Sequence, residues 1–190
     1  MPESTRRVRY QVAMSLDGFI AGPKGEADWI VMDPDIDFAG LFAQYDTFLM
    51  GRNTFAMMAA QGQGGGSPGT KTYVFSKTLK QKDHPGVTIV SEAPEKVIAQ
   101  LKSEPGKDIW LFGGGSLFSS LASAGLVDTV EVAIIPVMLG GGLPAYPPPS
   151  PRLTLKFTGH KVYPKSGIVL MEYDVKRGKP SKKSARKRNK

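Results

Sequence analysis

No cysteine occurs in the chain, so disulfides and thiolate chemistry are excluded. Histidine is nearly absent. His84 and His160 lie far apart and neither sits in a metal-ligand spacing, so no metal site is expected. There is no run of about 18 apolar residues, so no membrane span is expected. The first residues, Met1 to Arg9, lack the apolar core of a secretory signal, and the expected location is the cytoplasm. Acid is missing from residues 176–190, where nine of the 25 Lys and Arg residues lie. The rest of the chain then holds sixteen bases against 17 acids. The formal net charge of +8 therefore belongs to the tail, and the body is close to neutral.

Such a tail can neutralise phosphates and bind nucleic acid without sequence preference. It carries no aromatic residue on which a base could stack. A solvated, disordered terminus is the plainer reading. The expected organisation is one domain over 1–176 and a basic tail over 177–190, with nucleic acid not the main partner. A chain of 190 residues can bury a sizeable core in one domain.

What is present is an alternation of strand and helix patterns. Strands are expected at Val8–Ser15, Tyr45–Met50, Lys71–Phe75, Val87–Val90, Asp108–Phe112 and Leu126–Pro136. Helices are expected over Pro34–Gln44, Asn53–Ala60, Pro94–Lys102 and Ser116–Ala124. Asp33 reads as the N-cap of the first helix, with Pro34 its first residue. Gln61 to Gly69 is glycine-rich and reads as a mobile loop. Leu153–Tyr163 and Ile168–Val175 flank a turn and read as an antiparallel hairpin. The fold class is α/β: three layers, with a largely parallel central sheet and an antiparallel C-terminal hairpin.

Two strand-to-helix junctions carry chemistry: Gly51-Arg52-Asn53-Thr54 and Gly113-Gly114-Gly115-Ser116. In an open α/β sheet, ligands bind beyond the carboxyl ends of the strands. Free N–H groups at a helix N-terminus attract phosphate, and glycine lets the ligand come close. Arg52, Asn53 and Thr54 can add charge and hydrogen bonds. Two such junctions in one domain point to a bound nucleotide. It is not the dinucleotide fingerprint, because Phe118 stands where that pattern needs Gly or Ala. It is not a P-loop either, because no Gly-Lys-Ser/Thr follows. Ser76 and Lys77, at another strand end, are candidates for an additional phosphate or for a solvated turn.

The motifs occur in a characteristic order. They are Ala13 to Ala21 around Asp17-Gly18, Leu49 to Thr54, Val74 to Leu79, Leu111 to Ser116, Gly125 to Asp128 and Ile135 to Gly142. As a set, over about residues 8–175, they resemble the dihydrofolate-reductase-like superfamily. Within it, the chain is most similar to small stand-alone relatives of the riboflavin-biosynthesis reductase domain. The resemblance implies a sheet of eight strands, an NADPH cleft, hydride transfer to a small heterocyclic or conjugated substrate, and a homodimer. It places Gly51, Arg52, Asn53 and Thr54 on the diphosphate and its ribose, and Ser76 and Lys77 on the 2′-phosphate. Lys77 stands where these reductases carry Arg, which keeps the charge but loses the planar fork. Gly113, Gly114, Gly115, Ser116 and Leu117 would cover the diphosphate, with Ala13 and Ile20 beside the nicotinamide.

On the substrate side the chain departs from the riboflavin-pathway enzymes. Phe112 replaces a substrate-binding Glu, Met58 stands in place of an Asp, and Gln61 to Gly69 has no charge for a ribosyl phosphate. Trp29, Phe38 and Phe112 are the substrate-side residues. Asp33 and Asp35 are candidates for a pterin-binding or proton-donating acid, or for helix caps. Asp17 is a third candidate acid, or a turn residue before Gly18. Two alternatives from other classes stand beside the reductase: a nucleotide-binding module without turnover, and a nucleic-acid binder acting through the tail. For homodimer formation, the apolar strand Val127–Val137 and the loop Tyr146–Pro151 are the expected interface.

Overall fold

The computed structural model describes residues 6–62, 64 and 69–176. The loop expected at 61–69 is only partly among them, and the tail over 177–190 lies outside them. The elements in chain order are β1 (Val8–Ser15), β2 (Phe19–Ala21), α1 (Phe38–Phe42), β3 (Tyr45–Gly51) and α2 (Arg52–Ala60). Then come β4 (Lys71–Phe75), β5 (Thr88–Val90), α3 (Pro94–Ser103), β6 (Asp108–Gly113) and α4 (Gly115–Ser123). The chain finishes with β7 (Thr129–Ile135), β8 (Leu143–Pro144), β9 (Leu155–Tyr163) and β10 (Ile168–Val175).

Among the described residues, eight strands form one sheet in the order β5-β4-β3-β6-β1-β7-β10-β9. The six strands from β5 to β7 are parallel, and the β9–β10 hairpin closes the edge antiparallel. This is the three-layer dihydrofolate-reductase-like fold expected from the sequence. A small second pair joins β2 to β8, and β8 lies in the stretch from Leu139 to Pro151, whose many Gly and Pro residues read in sequence as a loop.

The two faces of β1 explain the layering. Side chains alternate across a strand. Val8 and Tyr10 face a core built with Ile98 and Leu101 of α3 and Leu117, Phe118 and Leu121 of α4. Tyr10 stacks on Phe118, with ring centroids 3.8 Å apart. Arg9, Gln11 and Ala13 face the opposite way, into a cleft. On that side Phe55 of α2 packs with Phe48, Met50, Val74 and Trp110, and Leu41 of α1 adds to the cluster. A central strand of a parallel sheet is usually apolar on both faces. Here one face of β1 is polar, and that is where the cleft lies.

Two expectations are corrected. The first helix is short and starts at Phe38, with Asp37 as its N-cap: the Asp37 carboxylate accepts from the Gly40 N–H at 2.8 Å. Asp33, expected as the cap, is 2% exposed and accepts from the backbone N–H groups of Asp35 (2.9 Å) and Ser166 (3.0 Å). A side-chain cap contributes about 0.5–2 kcal/mol. Two backbone donors, at Asp35 and Ser166, hold the Asp33 carboxylate where a cap would offer it one. The second correction concerns the expected interface. β7 runs inside the sheet between β1 and β10, and Val127, Val130 and Ile135 are buried in the chain's own core. In the loop, Tyr146 packs against Phe118 and Ser150 bonds Ser119, while Pro148, Pro149 and Pro151 stay exposed.

Candidate functional site

A cleft of about 1520 Å³ opens on the polar face of the sheet, large enough for a dinucleotide and a small second ligand. Its first wall is made by the two glycine junctions. β3 and β6 are neighbours, and Met50 pairs with Gly113, so α2 and α4 begin side by side. A Cβ built on Gly51 would lie 3.9 Å from both Gly113 O and Gly114 N. The Thr54 hydroxyl lies within 3.5 Å of where side chains on Gly113 and Gly114 would start. Both helices have nine residues, and neither N-cap residue, Gly51 or Gly114, offers a side-chain acceptor. Apart from that of Leu117, which donates to Gly114 O at 3.1 Å, their first-turn N–H groups have no partner within the helix and attract an anion. Gly51, Arg52, Asn53, Thr54, Gly113, Gly114, Gly115, Ser116 and Leu117 all line this wall. Ala13 and Ile20 line the cleft opposite.

The three glycines have different reasons to be glycine. Gly113 has φ +148°, which other residues rarely adopt. Gly115 is packed: a Cβ there would sit 2.9 Å from Ala145 O and from the Pro147 ring. Gly114 has φ −88°, open to any residue, and a Cβ would meet Thr54 Oγ1 at 3.4 Å. Gly51 also has ordinary extended geometry and nothing near its missing side chain closer than 3.9 Å. The fold therefore needs Gly113 and Gly115, while Gly51 keeps space open in the cleft.

Ser76 and Lys77 do not line the cleft itself. They follow β4 at its rim, where Arg52 Nη1 lies 3.5 Å from Thr78 Oγ1. The Ser76 hydroxyl accepts from the N–H groups of Thr78 (3.2 Å) and Leu79 (3.1 Å). Both its lone pairs are thereby used, and its proton points to Thr78 Oγ1, 3.4 Å away. Lys77 is exposed beside it.

The three candidate acids stand away from the cleft lining. Asp17 accepts from Ser15 Oγ (2.6 Å) and from the N–H groups of Leu139 (3.1 Å) and Gly140 (2.7 Å). It pins the 139–140 loop to the β1–β2 turn, where Gly18 has φ +94°. The Ser15 hydroxyl and those backbone donors outweigh desolvation and hold its carboxyl below the usual range. Asp33 is lowered too, by its bonds to Ser166 and Asp35 and by the Lys165 charge. Groups held ionised in this way are poor proton donors at neutral pH. Asp35 is exposed and pairs with Lys165 at 2.8 Å. Of the substrate-side residues, Phe38 and Phe112 line the cleft. Trp29 packs against the Ile135–Tyr163–Ile168 cluster, and its indole N–H donates to Glu26 O at 3.1 Å.

The cleft floor holds polar groups that no local motif announces. Arg9, 8% exposed, donates from Nε and Nη2 to the two oxygens of Glu131, each at 2.7 Å; Glu131 is 4% exposed. Arg9 also donates to Gln44 Oε1 at 2.7 Å. Burial works against the Arg9 charge, but the Glu131 bonds with the charges of Glu131, Tyr45 and Asp108 outweigh it, so its pKa rises. The Tyr45 hydroxyl donates to Gln11 Oε1 at 2.8 Å. Burial first, then the Glu131 charge, raises the Tyr45 pKa. Beyond Glu131 on the next strand stands Glu172, which also lines the cleft. The signal for this floor was an acid or base in the middle of three otherwise apolar strands. Among the described residues, no group of His, Asp or Glu side chains is arranged to hold a metal.

Residues 6–169 match the RibD C-terminal domain family. The chain belongs to that family. Its relatives include YyaP of Bacillus subtilis (strain 168), itself described as uncharacterized, at 38% identity over 179 residues, 88% of this chain and 94% of YyaP. A putative riboflavin biosynthesis protein from Shewanella sp. PV-4 superposes with a TM-score of 0.76 at 26% identity, covering 90% of this chain and 99% of that one. Dihydrofolate reductase from Enterococcus faecalis, solved with NADP(H), has a TM-score of 0.66 at 18% identity, covering 90% and 97%, and shows the shared fold. Among the described residues, no helix is long and apolar enough to cross a membrane.

Proposed function

We propose that the protein is an NADPH-dependent reductase of a small heterocyclic or conjugated substrate. The observation that carries this reading is the meeting of two uncapped helix N-termini across Gly51 and Gly113–Gly114. A diphosphate fits that arrangement: it supplies the acceptors that the first-turn N–H groups lack, and the empty side-chain position of Gly51 gives it room. Arg52, Asn53 and Thr54 add donors at the same junction. Lys77 and Arg52 supply the charge for a 2′-phosphate, and the Ser76–Thr78 hydroxyl pair beside them supplies a hydrogen bond. Such a cofactor, when bound, supplies a hydride. The remaining work belongs to the chain. Ala13, Ile20 and Leu117 provide apolar surface for a nicotinamide-sized ring, and Phe38 and Phe112 keep water from one side of the substrate. Asp17, Asp33 and Asp35 hold loops, so the proton for a reduced C=N or C=O reaches its heteroatom from water in the open cleft.

The absence of those three acids from the cleft equally suits a nucleotide-binding module without turnover. Both readings require NADPH to bind. NADPH is expected to raise the melting temperature, and more than NADH at equal concentration. A panel of conjugated C=N and C=O compounds, followed at the nicotinamide absorbance, then separates turnover from binding alone. No stabilisation at saturating NADPH would sink both. The location we propose is the cytoplasm. A homodimer is also proposed. Since β7 is interior, its interface is placed on edge strand β9, where Leu155, Phe157 and Val162 are exposed.

A further inference from the structure

Glu172 has an unusual setting. It lies on β10 directly opposite Glu131 on β7. Opposite residues of an antiparallel pair have their Cβ atoms about 4.5–5.5 Å apart, and like charges there repel. Arg9 neutralises Glu131 through two hydrogen bonds. Glu172 has no hydrogen bond or ion pair among the described residues. Lys161 on β9 pairs with Leu170 and lines the same cleft, but it extends along the strand away from Gly159, with Nζ 4.6 Å from the centre of the Tyr163 ring. The other charged residues lining the cleft are Lys24, Asp37 and Arg52, on different elements.

The backbone is shaped around this carboxylate. The β9–β10 register shifts between Glu172 and Tyr173, so Thr158 is an extra residue on β9. Bulges re-aim side chains beside functional sites. Glu172 pairs with Gly159, and a Cβ on that glycine would lie 2.7 Å from Glu172 Oε2. A side chain there would push the carboxylate aside. Along the same sheet face, Gln11 and Glu131 pair with one another across β1 and β7. Ala13 lies two residues further along β1, about 7 Å away. The polar row thus runs from β1, next to the position proposed for the nicotinamide and to Trp110 and Phe112 of β6, across β7 to Glu172 on β10.

We propose that Glu172 is the substrate-recognition residue of this cleft, and that it takes an aromatic or conjugated ligand bearing a cationic or N–H-rich group such as an amidine. This inference takes the cleft's substrate half from the reductase reading. A bound cation would relieve the repulsion with Glu131, and the ligand's conjugated part would extend from Glu172 over β7 and β1 toward Phe112 on β6. Gln11 adds an amide donor to the same row.

The test is tryptophan-fluorescence titration of the full chain with benzamidine, benzamide and benzoate, with and without NADPH. Wild type is expected to bind benzamidine at least about tenfold more tightly than benzamide, with benzoate weakest. Glu172→Gln should remove that preference while melting no lower than wild type, since a repulsion is lost. A merely structural residue would not show that pair of effects. Gly159→Ala, which keeps the carboxylate but displaces it, should weaken benzamidine binding and leave benzamide unchanged. Equal benzamidine affinity in Glu172→Gln and wild type, no benzamidine binding by wild type, or a preference for benzoate would overturn the proposal. If NADPH fails to bind while the Glu172-dependent preference holds, the recognition site stands and the reductase reading falls. If NADPH binds without any such preference, only the recognition site falls.

Discussion

The two sides of the cleft are built by different means. The junction wall consists of two contiguous sequence motifs, each a strand end, a glycine and a helix start. The polar floor consists of single residues from distant strands: Arg9 and Glu131 are 122 positions apart. The wall offers backbone N–H groups and empty space, whereas the floor offers buried charge. Breaking the Arg9–Glu131 pair of the floor should therefore cost stability, and adding a side chain at Gly51 of the wall should cost ligand binding. The comparison can be broken at several points.

The largest effect is expected on the floor. Glu131→Ala leaves the Arg9 guanidinium buried without its bidentate partner, and a loss of about 3–5 kcal/mol is expected in chemical denaturation. Replacing Arg9 and Glu131 together by Met should cost much less, because no orphaned charge remains. Equal losses would mean that the pair acts through packing alone.

Next comes a contrast between adjacent glycines of the wall. Gly115→Val forces a side chain against Ala145 O and the Pro147 ring. It should destabilise by about 1–3 kcal/mol, as overpacking does. Gly114→Ala has permissive φ and only the Thr54 hydroxyl nearby, so its melting temperature should stay close to wild type. If Gly114→Ala is the more destabilised of the two, the packing account of Gly115 is wrong.

Smaller still is the rim. Lys77→Ala should weaken NADPH by roughly fivefold, the scale of an exposed charge contact, and leave NADH unchanged. Matching losses for both nucleotides would move Lys77 away from the 2′-phosphate.

The mildest effect is on acid stability. The carboxyls of Asp17 and Asp33 are held below their ordinary range in the folded protein. A depressed folded pKa contributes stability that is fully present above the unfolded value, about 4, and is lost as pH falls through the folded value. Melting temperature should therefore drop on acidification below about pH 4. Asp33→Asn should flatten that drop, as seen in melting curves across the acid range.

The same contrast decides what could be read from sequence. The succession of strands and helices along the chain, the hairpin and both junctions were legible because their signals are local: Gly51 to Thr54 and Gly113 to Leu117 each sit in one short stretch. The floor was not, because Arg9, Glu131 and Glu172 become neighbours only through pairing of β1, β7 and β10. Asp33 shows the same limit. Asp33-Pro34 reads as a helix start, but a hydrogen bond from Ser166, 133 residues away, claims the carboxylate. Neither a β2–β8 pair nor an interior β7 is visible until the strand order is known.

Gly51 offers the most direct test of the wall. Its φ of −80° and the open space beside it leave the fold indifferent to a side chain. Gly51→Val should keep its stability within about 1 kcal/mol, the cost of a poorer N-cap residue. The account predicts that calorimetric titration finds NADPH bound by wild type and not by folded Gly51→Val. NADPH bound equally by both proteins would contradict it.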